Sequence, residues 1–374
     1  EPALRIGEQA LGENDLLVAE VLVGLALLAE KQGLYDQAEA FYKRALHIRE
    51  QVLGRSHPLI SEVLNRLGET YRLQGKHEQA EPLYLRALEI GEQALGPKAA
   101  SVLNNLAILY WYQGKYAQAE SIYLRALRIK EQILGPEHQE IASTLNNLGI
   151  VYVDQGKYQD AEPLFLRALH IREQGLGEEH PLVVYPLNNL AYLYRAQGRY
   201  EQAVSFFQRA IHIWELSLGL NHPDIAHPLC DLADVYTLQG RCEEAEPLLQ
   251  RALQIVQQGL GLDHPLMACP LQGLAGLHTL QERFEQARPL YERALSLRRQ
   301  HLHAQHPDVA ETLSAFARFH HVQKQMKEAL ALYQQALAIR ERTSGSDHPK
   351  TRETRIAYAR LLQEMGQEGD AFQV

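Results

Sequence analysis

The 374-residue sequence predicts an all-α fold, a solenoid of tandem helix-turn-helix units forming one elongated domain over 1–374. Three observations predict it. The stretch Thr144-Leu145-Asn146-Asn147-Leu148-Gly149-Ile150-Val151-Tyr152 returns at Val102–Tyr110 and Pro186–Tyr194, with weaker copies beginning at Val63, Pro228, Pro270 and Thr312. A turn slot recurs at Gly33, Gly75, Gly114, Gly156, Gly198, Gly240, Glu282, Lys324 and Gly366, every 42 residues except for one interval of 39 after Gly75. Small residues hold fixed distances from that slot. Self-similarity at a fixed period is the signature of a repeat array.

Each unit reads in the same order. Helix A precedes the slot and helix B follows it. Helix B ends at Leu-Gly, as at Gly54, Gly96, Gly135, Gly177, Gly219, Gly261 and Gly345, where glycine suits a left-handed C-cap. A loop with His-Pro follows, at Pro58, Pro181, Pro223, Pro265, Pro307 and Pro349, and starts the next helix A, where proline's missing N–H removes no hydrogen bond. Pro186, Pro228 and Pro270 fall early in helix A and are expected to kink it or delay its start. Eight full units result, with half-units at both ends, and the chain reads as a piece of a longer protein.

Packing follows from three small columns. Seven positions before the slot stand Ala26, Gly68, Ala107, Gly149, Ala191, Ala233, Ala275, Ala317 and Ala359. Five after it comes the column Ala38 to Ala371, and twelve after it the column Ala45 to Ala336. Columns without a large side chain imply close helix crossings. In the 39-residue unit three residues are missing before helix A, close to one helical turn. The expectation is that helix A starts a turn late there and keeps its buried face. A local bend of the array is the alternative.

Composition narrows the function. With 37 basic and 46 acidic residues the net charge is −9, which disfavours nucleic acid or an anionic membrane as the main partner. Three cysteines are too few for a disulfide framework and fit a reducing, cytoplasmic setting. No apolar run approaches the roughly 18 residues of a membrane span, and no signal peptide opens the sequence.

The pattern Leu-Asn-Asn-Leu-Ala-x-Leu-Tyr, Gln-Gly-Lys-Tyr, Ala-Glu-Pro-Leu-Tyr and Leu-Gly-x-x-His-Pro resembles the tetratricopeptide repeat, in the 42-residue form of kinesin light chains and their bacterial relatives. The resemblance covers nearly the whole chain. It implies a right-handed superhelical solenoid that binds proteins. The heptad coiled coil by which a light chain joins its motor is missing, so the likeness extends to the repeats only.

A helical wheel places Leu145, Leu148, Gly149 and Tyr152 on one packed arc, with Ser143, Asn146, Asn147, Ile150, Val153 and Asp154 opposite. In stacked hairpins the A helices line the concave surface, so this second face forms a groove. Asn65, Asn104, Asn105, Asn146, Asn147, Asn188 and Asn189 then make a ladder along it. Asparagine carries both donors and an acceptor and can satisfy an extended peptide backbone. The resemblance implies that role for these residues. Ile108, Trp111, Tyr112, Ile150 and Tyr192 are placed to seat ligand side chains, with Arg66, Arg72 and Arg195 at the edges. The competing reading is that the asparagines bridge adjacent A helices. Light chains favour acidic cargo peptides, whereas this groove carries six basic residues (Lys31, Arg66, Arg72, Arg195, Arg318, Arg360) against ten acidic ones. Charge therefore does not fix the ligand.

Other chemistry finds little support. The His-Pro histidines lie in different units and cannot converge on a metal, and they read as helix-start residues. Cys230 and Cys269 fall near the groove in neighbouring units, but no histidine stands at ligand spacing, so they read as free thiols. No phosphate loop, nucleophile elbow or zinc-protease motif occurs, and neither catalysis nor a cofactor is expected. The predicted function is a non-catalytic scaffold holding a protein or peptide segment in the concave groove. The alternative is a sensor or autoinhibitory arm of a larger bacterial signalling NTPase. A third reading is end-to-end self-association through truncated half-units.

Overall fold

The computed structural model describes residues 2–93, 97–302, 304–346 and 348–366. Among the described residues there are 18 α-helices and three 3-10 turns, with no strand, in a tandem α-solenoid arrangement. The expected C-cap at Gly96 and the half-unit from 367 to 374, with Ala371, lie outside the described residues.

The chain divides into two compact units, Glu1–Val151 and Tyr152–Val374. The first holds α1 (Pro2–Leu11), α2 (Leu16–Lys31), α3 (Tyr35–Leu53), α4 (Pro58–Leu73), α5 (His77–Gln93), α6 (Pro97–Tyr112) and α7 (Tyr116–Leu134). It also holds α8 (Gln139–Asp154) as far as Val151. The second holds α9 (Tyr158–Leu176), α10 (Val184–Ala196), α11 (Tyr200–Leu218), α12 (Ala226–Leu238) and α13 (Cys242–Leu260). It continues through α14 (Ala268–Leu280), α15 (Phe284–His301), α16 (Pro307–Val322), α17 (Met326–Ser344) and α18 (Pro349–Glu364). From α2 onward the even-numbered helices are A helices and the odd-numbered ones are B helices.

The turn slot is a Schellman cap. At the end of α2 the Gly33 N–H donates to Glu30 O at 3.0 Å and the Leu34 N–H to Ala29 O at 2.9 Å, with Gly33 at φ 73°. The same pair of bonds closes α14 and α16, where the slot is held by Glu282 (φ 58°) and Lys324 (φ 63°). The Leu-Gly glycines behave differently from expectation. Gly54 has φ 81° and ψ 160°, and Gly177 φ 92° and ψ 155°. Positive φ with extended ψ is a glycine-only region, so helix B leaves straight rather than curling through a left-handed cap.

The His-Pro histidine turns out to be the cap of helix A. His57 Nδ1 accepts from the Leu59 N–H at 3.2 Å, and His138, His180, His222, His264, His306 and His348 repeat this bond. The imidazole thus takes the place of the usual Asp or Ser oxygen. Pro186, Pro228 and Pro270 delay the α-helix, as expected. Each A helix carrying one begins with a 3-10 turn, Pro181–Val183, Pro223–Ile225 or Pro265–Met267. The turn shifts the α start to Val184, Ala226 or Ala268 and puts the second proline at the third helical position, where no intrahelical acceptor is available.

The 39-residue unit corrects another expectation. Helix α6 does not start late: Pro97 stands 17 positions before Gly114, as Pro58 stands before Gly75, and both helices have 16 residues. The deletion falls instead between Gln93 and Pro97. Helix A keeps its full length because its first turn carries buried residues, Ala99 (4% exposed) and Ala100 (0%).

The small columns are buried as predicted, apart from half-buried Ala359. At Gly68 a Cβ would meet Tyr84 Cε1 at 2.8 Å, so an alanine there would force the ring to shift. A further buried set holds consecutive units together. Arg49, Lys130, Arg298 and Arg340, each 16 residues after a turn slot, reach the backbone carbonyl of the second residue of the next A helix. The distances are 2.8 Å to Leu59 O, 3.3 Å to Glu140 O, 2.6 Å to Asp308 O and 2.7 Å to Lys350 O. Lys130, Arg298 and Arg340 also donate to Thr144, Thr312 and Thr354.

Candidate functional site

In the first unit, α4, α6 and α8 carry the expected asparagines, all half-buried. They do not play one role. Asn105 Nδ2 donates to Asn65 Oδ1 at 3.1 Å, joining α6 to α4. Asn147 donates to the hydroxyl of Tyr123, a buried helix B residue. Asn65 and Asn105 thus bridge adjacent A helices, whereas Asn147 ties its A helix to the preceding helix B. Asn104 differs: its side-chain oxygen is buried and accepts no hydrogen bond.

Around them lies an aromatic and cationic cluster. Glu69 accepts both Arg72 Nε (3.0 Å) and an Arg72 terminal nitrogen (2.6 Å), and the Tyr84 hydroxyl donates to it at 3.1 Å. Burial would raise the Glu69 carboxyl, but these donors outweigh it and hold it below the usual carboxylate range. The Arg72 guanidinium sits 5.2 Å from the Tyr112 ring centre, and Trp111 meets Tyr112 edge-on at 4.8 Å. Tyr112 and Arg66 remain exposed on this face, while Ile108 and Ile150 are half-buried beside it.

In the second unit the predicted residues Asn188, Asn189, Tyr192 and Arg195 all lie on α10. Asn188 repeats the feature of Asn104, with a buried side-chain oxygen that accepts no hydrogen bond. Tyr192 and Arg195 are tied to the next A helix, α12. The Tyr192 hydroxyl donates to Asp231, and Arg195 pairs with Asp234 at 2.5 Å. Burial lifts the Asp231 carboxyl to about 6, against the Tyr192 hydrogen bond that favours its charge. Most groove charges are likewise partnered within the protein: Glu30 accepts from Tyr42 and Thr70, Glu311 pairs with Arg340 and Lys350, and Glu364 with His321.

One cluster was missed from sequence. His227 on α12 lies against Cys269 on α14, and Cys269 also meets Cys230 on α12. Both thiols are free, as expected, but a histidine does stand beside them. His227 and Cys269 occupy the same position, 13 residues before their turn slots, and that periodicity was the available signal. A separate open trough of about 480 Å³ lies between α11, α12 and α13, lined by Gln208, Glu215, Tyr236, Glu244, Pro247 and Arg251. It contains none of the expected groove residues.

Among the described residues no helix is long and apolar enough to cross a membrane. The tetratricopeptide repeat family model matches residues 1–51, 17–93, 98–174, 182–258, 224–300 and 308–374. A second tetratricopeptide model matches 146–217. No curated protein matches the chain. Solved structures do. BtubC (BKLC) from P. vanneervenii is 24% identical at TM-score 0.54, over 61% of this chain and 93% of that one. A tetratricopeptide repeat protein from Parabacteroides merdae is 22% identical at TM-score 0.54, over 79% and 98%. A signal transduction ATPase with a tetratricopeptide repeat sensor, from Pyrococcus horikoshii, is 20% identical at TM-score 0.59; it covers 75% of this chain, which spans 42% of it. At these identities the likeness is one of fold.

Proposed function

Because this chain belongs to the tetratricopeptide repeat family, whose repeats generally bind protein partners, we propose that it is a non-catalytic scaffold gripping an extended peptide along its A-helix face. The observation that carries the reading is the division of labour within the asparagine pairs. Asn105 and Asn147 are held by bonds inside the protein, whereas the side-chain oxygens of Asn104 and Asn188 are buried acceptors with no donor. A buried acceptor left unpaired costs about 1–3 kcal/mol, and turning these half-buried amides outward would let a backbone N–H of an extended segment satisfy it. Exposed Tyr112 and Arg66 beside the first set offer an aromatic and a cationic contact to the peptide's side chains.

The test is selection of binding peptides from a random display library against the whole chain, followed by titration of a recovered peptide against variants. Asn104→Ala or Asn188→Ala should weaken the peptide that engages its unit about two- to tenfold, the worth of one hydrogen bond of about 0.5–1.5 kcal/mol. Peptides whose affinity is untouched by both substitutions, and by Tyr112→Ala, would refute the A-helix face as the binding surface.

A further inference from the structure

Side chains 39 residues apart meet across consecutive A helices of the second unit. Tyr192 donates to Asp231, Arg195 lies 2.5 Å from Asp234, and Glu311 lies 3.0 Å from Lys350. Each pair joins one position of an A helix to the position three earlier in the next unit. Cys230 and Cys269 are also 39 apart and form a further rung, between the directly packed helices α12 and α14. The register sets their thiols against each other, and His227, one helical turn before Cys230, lies against Cys269 from the other side. Cys230 is buried at 7% exposure, whereas Cys269 keeps partial access to solvent.

From this geometry we infer that Cys269 is a modification site for peroxides, with His227 holding its thiolate and Cys230 as the resolving thiol. The surroundings supply the charge balance. Around Cys269 stand His227, Cys230 and Asp231 of α12, Arg298 of α15, Asp308 of α16, and Tyr192 and Arg195 of α10. Contact with Cys230, the adjacent His227 and Arg298 lower the Cys269 thiol against the pull of burial. Cys269 in turn raises His227 to about 8, and contact with Cys269 together with burial pushes Cys230 up. These directions favour a thiolate on Cys269 beside an imidazolium, next to a protonated thiol, the arrangement that makes a cysteine reactive. Among the described residues no group of three or more His, Cys, Asp or Glu side chains is arranged to hold a metal, which separates this cluster from a metal site.

The chemistry balances with peroxide as the only co-reactant. The Cys269 thiolate attacks one peroxide oxygen, the O–O bond breaks and hydroxide leaves, giving a sulfenic acid. Cys230 Sγ then attacks the Cys269 sulfur, the S–O bond breaks and the thiol proton departs with the leaving hydroxide as water. The two cysteines lose two electrons and the peroxide is reduced. The product disulfide ties α12 to α14. The inference does not depend on the peptide-binding proposal, since no ligand enters it.

The experiment uses the whole chain and hydrogen peroxide, with Cys242 as internal reference. In the folded wild type at pH 6, iodoacetamide should alkylate Cys269 about tenfold or more faster than Cys242, and His227→Asn should remove that advantage. Peroxide should produce a Cys230–Cys269 disulfide, read by peptide mass mapping, in the wild type. In Cys230→Ser it should stop at a sulfenic acid on Cys269, trapped by dimedone. Far-UV circular dichroism establishes that the variants fold, and the comparison of Cys269 with Cys242 needs no variant. Equal alkylation of Cys269 and Cys242 in the wild type would overturn the site, as would unchanged reactivity in His227→Asn. A sulfenic acid that persists in the wild type without a disulfide would overturn the role of Cys230.

Discussion

Asn105 reaches from α6 to donate to Asn65 on α4 at 3.1 Å, so one rung of the asparagine ladder binds the array to itself. Asn105→Ala should lower stability by about 1 kcal/mol, with the Asn65 oxygen left without its donor. A double-mutant cycle with Asn65→Ala, followed by urea denaturation, should show a coupling of about 0.5–1.5 kcal/mol. Strict additivity would mean the bond contributes nothing.

Two glycines on helix A should respond to alanine with opposite signs. At Gly68 the added Cβ would lie 2.8 Å from the Tyr84 ring, whose hydroxyl is fixed on Glu69. Overpacking there should cost about 1–3 kcal/mol. At Gly24 nothing lies within 4 Å, and alanine should gain up to about 1 kcal/mol from helix propensity. Thermal melts of the two variants check the pair, and a stabilised Gly68→Ala would contradict the crossing described.

Glu282 and Lys324 hold left-handed backbone at φ 58° and 63°, where other units have glycine. A side chain in that region costs about 1–2 kcal/mol, partly offset by glycine's greater unfolded freedom. Glu282→Gly and Lys324→Gly should each raise stability by about 0.5–1 kcal/mol. Slower amide exchange at the ends of α14 and α16 would register the gain, and faster exchange would count against it.

His348 links stability to pH. Burial first, then Lys350, Arg340 and Arg352, depress its imidazole to about 4 from an ordinary value of 6.5, and its Nδ1 caps α18 as an acceptor. The folded state therefore takes up a proton less readily than the unfolded state. The contribution of His348 is full above pH 6.5 and is lost as pH falls toward 4. Melting midpoints compared between pH 7 and pH 4 should drop less in His348→Asn, which caps without titrating in this range. Parallel curves would exclude the linkage.

How much of this was legible in the sequence follows from what repeats. The turn slots and the small columns recur in nearly every unit and the proline-delayed helices in three successive ones, and each marks a backbone constraint that a period exposes. The Arg49–Lys130–Arg298–Arg340 clamp stayed hidden because Gly91, Trp214 and Val256 interrupt its column. His-Pro announced a helix start, but not that the imidazole itself makes the cap. Within the candidate site, the asparagines and their face were readable from a wheel. The split between bridging Asn105 and donor-less Asn104 was not, since it depends on how adjacent helices are offset. The same offset concealed Cys230 and Cys269, which pair across 39 residues rather than at any local ligand spacing.

The three residues missing between Gln93 and Pro97 leave that offset untouched. Asn65 and Asn105 stand ten and nine positions before their turn slots, across the short interval. His321 and Glu364, bonded at 2.8 Å, stand three and two positions before theirs, across a full one, and so carry the same one-position offset. The segment from helix B to the next helix A thus works as a seam, where chain length is uncoupled from side-chain addressing. A reporter or epitope peptide spliced into such a seam would lengthen the polypeptide while every rung kept its partner.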